Sequence, residues 1–166
     1  MPRLPSLFSI AAYGILRGIF LSVLCWAVVM GVYSAWATIA PGPEAGLGAV
    51  LFNFVYGGFL GALVGIQLGL WTGTTTALAA VAVTSLLAYP LKNPERYKQI
   101  MQIVCTIVAT VCTALVARGY LDPAGNPVIT IPIAAFVAFR VSRYLASWAV
   151  SRSSDSRTAD AVTMVE

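Results

Sequence analysis

The side chains equipped for chemistry inside this chain are few, and most are uncharged. Asn53 and Gln67 are the only strongly polar, uncharged groups deep in the apolar stretch Leu47–Trp71. Fourteen residues separate them, so on a helix both point roughly the same way. As a pair they suit hydrogen bonding to a neighbouring helix or lining a path for a small neutral solute. Thr106, Thr110 and Thr113 lead to Ala117 at spacings of four, three and four. In lipid, such hydroxyls bond their own helix carbonyls or a neighbouring helix, at about 0.6 kcal/mol on average. Three arginines stand in or beside apolar sequence: Arg17 near the amino end, and Arg140 with Arg143 on one face of the last apolar segment. They suit contact with anionic lipid headgroups, although snorkelling to the interface and topology setting account for them as well.

Absences narrow the chemistry further. Histidine does not occur, which removes the usual haem ligand, the commonest transition-metal ligand and the usual general base. The acidic residues Glu44, Glu95, Asp122, Asp155, Asp160 and Glu166 all lie outside the apolar segments, so no carboxylate proton relay can be drawn. Cys25, Cys105 and Cys112 sit within hydrophobic sequence, where free cysteine behaves as a small apolar residue. H-E-x-x-H, P-loop, nucleophile-elbow and CxxC signatures are missing. The expectation is a protein that is not an enzyme, with no catalytic residues and no metal or cofactor. Contacts to a quinone or pigment need no fixed motif and stay open.

Composition explains where these groups reside. The 166-residue chain is 59% hydrophobic and 10% charged, against about 25% charged in soluble domains. Too little polar material is present to coat a water-soluble core. The formal charge of +4 therefore does not imply nucleic-acid binding; the basic residues stand in short connections and near the two ends, where membrane orientation uses them.

Five apolar segments can be marked. The first, about Leu7 to Ala40, is too long for one perpendicular crossing of about 20 residues. Gly18 to Ile39 is its expected crossing, stopped by Pro41-Gly42-Pro43, with Ser6–Leu16 along the interface. It lacks a short apolar region ending in an A-x-A site and is expected to remain as an anchor. The second is Leu47–Trp71, followed by a short turn at Thr72–Thr75, and the third is Thr76–Leu91. Ile100–Ala117 and Val128–Val150 complete the set, and a disordered polar tail is expected from Ser151.

Gly57, Gly61, Gly65, Gly69 and Gly73 follow one another at a spacing of four, and Asn53 and Ala49 extend the row upstream. Glycines weaken a helix in water by roughly 1 kcal/mol each. In lipid the helix persists, and a stripe bare of side chains lets another backbone approach closely. Such a glycine zipper can serve a helix of the same chain or another subunit. Gly14, Gly18 and Ser22 repeat the theme in the first segment.

The expected fold is thus an all-α polytopic transmembrane bundle, five segments with four or five crossings, over residues 1–150, with a tail at 151–166. Five crossings put Lys92, Arg96, Lys98, Arg140, Arg143, Arg152 and Arg157 on one side, against Arg3, Arg17 and Arg118. A single crossing by residues 47–91, through a re-entrant hairpin, leaves only Arg118 apart from the rest, at the cost of non-helical backbone buried in protein. Five helices are the favoured reading; either count places the carboxyl end in the cytoplasm at a cell membrane. The expected function is a small integral membrane subunit or assembly scaffold. It would dock through glycine and small-residue faces against other membrane subunits or itself. The alternative is a small homo-oligomeric channel or transporter for a neutral solute.

Overall fold

The computed structural model describes residues 7–40, 46–87, 93–120 and 127–163. Among them are four α-helices and no strand: α1 (Leu7–Ile39), α2 (Leu47–Leu87), α3 (Pro94–Tyr120) and α4 (Pro127–Thr163). All four are long and apolar enough to cross a membrane. The Pro41-Gly42-Pro43 stop and the loop at 121–126 lie outside the described residues, as do Arg3, Glu44 and Lys92.

The favoured count of five helices is corrected by α2, which is one continuous helix of 41 residues. Neither a turn at Thr72–Thr75 nor a re-entrant hairpin interrupts it. The reason is where the hydroxyls go. Thr72, Thr75 and Thr76 donate to the carbonyls of Leu68 (2.8 Å), Trp71 (2.8 Å) and Thr72 (2.6 Å), four residues back in each case. A polar run with its hydroxyls satisfied by its own helix no longer needs water or a turn.

The connection expected at residues 92–98 is shorter than its polarity implies, because α3 begins inside it. Asn93 caps the helix, its Oδ1 accepting from the amides of Glu95 and Arg96, both at 3.2 Å. Pro94 takes the first helical position, where a missing N–H costs nothing. Glu95 accepts from Lys98 Nζ at 2.8 Å on this exposed first turn. At the other end, α4 continues to Thr163 through a stretch that polarity alone assigns to a tail. Residues 151–163 contain no Pro or Gly, and propagating an existing helix avoids the cost of nucleation.

Helix lengths set the shape. At 1.5 Å per residue α1 is about 50 Å long and α2 about 61 Å. The apolar spans of α3 and α4, 23 residues each, reach only about 35 Å. α1 and α2 run antiparallel, and α3 and α4 pack beside the half of that pair holding the start of α1 and the end of α2. There the core closes around Ile10, Ala80, Tyr97, Met101, Cys105, Val141 and Leu145. Among the described residues the buried core ends at about Trp26 and Leu68, and the α1–α2 pair runs on beyond it for roughly 20–30 Å. Phe52 is 69% exposed there and Phe59 62%.

Candidate functional site

The glycine row of α2 is filled by α1 of the same chain. Residues meet in pairs that step by four in opposite directions. Gly14 faces Ala77, Gly18 faces Gly73, Ser22 faces Gly69, Met30 faces Gly61, Ser34 faces Gly57, and Thr38 bonds Asn53. A methyl added at Gly65 would lie 2.6 Å from the Val23 Cα, and one at Gly69 would lie 2.8 Å from the Ile19 Cα. At Gly61 it would fall on the Trp26 carbonyl oxygen. Backbone, not flexible side chain, occupies the space. The run Gly14, Gly18, Ser22 therefore continues along α1 through Trp26, Met30, Ser34 and Thr38, a periodicity hidden by the bulk of Trp26 and Met30.

A row stepping by four drifts about 40° per step around a helix of 3.6 residues per turn. Contact persists along it only where the two helices wrap about each other. That drift separates Asn53 from Gln67. Asn53 lies on the row, donating from Nδ2 to Thr38 Oγ1 at 2.9 Å. Gln67 falls midway between Gly65 and Gly69, on the side of α2 away from α1, and is exposed.

Three cross-helix hydrogen bonds share one design. Thr38, Thr72 and Thr84 donate their single hydroxyl proton to the carbonyls of Ser34, Leu68 and Ala80, at 2.7–2.8 Å. Each oxygen is then left as an acceptor for a partner helix. Asn53 uses the first, Thr113 the second at 2.9 Å, and the Tyr97 hydroxyl the third at 2.8 Å. Donor direction in the last two follows from the proton already spent. Because each acceptor stays satisfied within its own helix, removing the donor leaves nothing stranded. Thr113→Val and Tyr97→Phe should each cost only about 0.6 kcal/mol in denaturant titrations of the micelle-bound protein. A loss above about 2 kcal/mol would rule out this sharing.

The threonine face of α3 divides in the structure. Thr113 belongs to the buried row Tyr97, Met101, Cys105, Ala109, Thr113, whereas Thr106 and Thr110 flank it. Their hydroxyl oxygens are buried without a hydrogen-bond partner. Gln67, Asn53 and the threonines do not line a common surface within one chain.

The structure does assemble the arginines. Arg17 of α1 meets Arg140 and Arg143 of α4 around a groove of about 410 Å³, with Leu21, Val141, Tyr144 and Ser147 completing its wall. The Arg17 guanidinium carbon lies 4.1 Å from the Tyr144 ring centroid and 5.3 Å from that of Tyr13. Its Nη2 donates to the Tyr13 hydroxyl at 3.1 Å. Tyr13 in turn stacks on Tyr144 (5.9 Å) and Trp148 (5.6 Å). Among the described residues the cation is thus held by aromatic side chains. Sequence reading grouped Arg140 with Arg143 but left Arg17 apart, since only the antiparallel packing of α1 on α4 brings it to them.

These features define a multi-pass membrane protein by the length and apolarity of its helices. Protein-family models, curated proteins and solved structures show no match to the chain.

Proposed function

We propose that this is a small integral membrane subunit that lies against another membrane protein, made for contact rather than catalysis. The observation that carries the reading is the overhang. An apolar helix pair outruns its own α3–α4 neighbours by roughly 20–30 Å and presents Tyr33, Trp36, Phe52, Val55, Tyr56 and Phe59 outward. A patch of exposed aromatics on a preformed scaffold is the kind of surface that anchors interfaces. The glycine row does not serve as the docking face, because α1 already occupies it. Docking uses the outer face of the same two helices. If all four helices cross, the positive-inside rule favours a cytoplasmic carboxyl end, on the side with most of the basic residues.

Gentle extraction of the tagged chain tests the reading. Phe52→Ala with Phe59→Ala should cut recovery of a stoichiometric membrane partner about tenfold or more. Leu78→Ala with Leu86→Ala, exposed at the other end of α2, should leave recovery unchanged. A monodisperse single copy with nothing bound would overturn the reading. So would solute flux in reconstituted vesicles that Gln67→Leu abolishes, which would favour a homo-oligomeric channel.

A further inference from the structure

We propose that the groove between α1 and α4 binds the phosphate of an acidic membrane lipid, held by Arg17, Arg140 and Arg143. The three guanidinium groups come from two helices and line one opening of about 410 Å³. Among the described residues no carboxylate is paired with them. α1 and α2 contain no acidic residue, and Glu95 is occupied by Lys98 on the exposed first turn of α3. Asp155 lies about 18 Å beyond Arg143 along α4. Like charges gathered without a counter-ion favour an anion in their midst, and a guanidinium fork matches phosphate oxygens two at a time. Arg17 is already oriented by Tyr13 and Tyr144, so little freedom is left for it to lose on binding.

The surroundings of the groove select a lipid over free phosphate. Leu21 and Val141 make part of its wall apolar. Along α1 the same face continues through the exposed Leu24 and Val28, about 16 Å beyond Arg17, into a second and almost wholly apolar groove between Val28 and Trp36. A headgroup phosphate at the arginines would thus have a track for its acyl chain. Tyr13, Tyr144 and Trp148 stand beside the arginines, the residue types that favour the headgroup level of a bilayer.

The full chain reconstituted in phosphatidylcholine vesicles, with spin-labelled phosphatidylglycerol as a minor component, tests this. Immobilised label should exceed that seen with spin-labelled phosphatidylcholine, and the excess should fall about five-fold for each of Arg140→Gln and Arg143→Gln. Both are exposed, so the folded helices should survive their loss, which circular dichroism checks. Against the combined Arg140→Gln and Arg143→Gln variant, Arg96→Gln with Lys98→Gln, equal in charge removed but outside the groove lining, should leave the excess in place. The proposal fails if the arginine pair has no effect or if the control pair matches it. Arginine-dependent binding of inorganic phosphate to the micelle-bound chain, without any lipid preference in vesicles, would overturn the lipid assignment and leave a free-phosphate site.

Discussion

Replacing Gly61 and Gly65 with leucine should separate α1 from α2 while leaving both helical. At these two positions an added side chain meets the Trp26 carbonyl and the backbone of Val23. Rotamer adjustment cannot relieve a clash with backbone, so the helices must move apart toward the 8–10 Å spacing usual for bulky contacts. Overpacking costs about 1–3 kcal/mol per site, and the loss of close dispersion contacts on neighbouring turns adds to it. Helicity survives, because in lipid the backbone has no other hydrogen-bond partners. The check is a disulfide between Thr38→Cys and Asn53→Cys, whose parent side chains bond at 2.9 Å, with Cys25, Cys105 and Cys112 replaced by Ala. It should form readily in the parent background and be lost in the double-leucine variant. Gly48→Leu, with open space around it, should behave as the parent does. Unchanged crosslinking in the double-leucine variant would show that the seam does not hold the pair together.

The second large effect is all or none and concerns topology. With α2 continuous, four helices are long and apolar enough to cross a membrane, and one crossing by each should leave the two ends on one side. A cysteine in place of Thr74, about 20 Å inside the end of α2, should resist membrane-impermeant maleimide from either face. A cysteine in place of Glu95, at the exposed start of α3, should react from the side that also exposes both termini. A loop at residues 72–75 would instead make Thr74→Cys reactive and put the termini on opposite sides. The charge distribution supports four crossings. They leave Arg118 alone on the far side without demanding the buried irregular backbone that a re-entrant hairpin needs.

The difference between five segments and four helices has a local cause. Thr72, Gly73, Thr74 and Thr75 in succession read as a short neutral turn. Hydroxyls that bond four residues back turn the same string into uninterrupted helix. The starts of helices were similarly obscured by polarity: Asn93-Pro94 is a capped helix start, yet the charged residues after it resemble a loop. The glycine row, by contrast, was legible from spacing alone, because a repeat of four along an uncharged stretch has few other physical uses.

What spacing could not supply was the identity of the neighbour. Residue types by themselves pointed to a chain that belongs in lipid and whose long apolar segments are helical. Tertiary structure decided that α1, rather than another subunit, lies in the glycine seam. It also decided that Asn53 and Gln67 face different surroundings, and that Arg17 joins Arg140 and Arg143. The reason is geometric. Hydropathy and periodicity are properties of one helix, whereas a contact depends on the register and wrap of two. The 40° drift of a row stepping by four turns a fixed spacing along α2 into a changing direction in space.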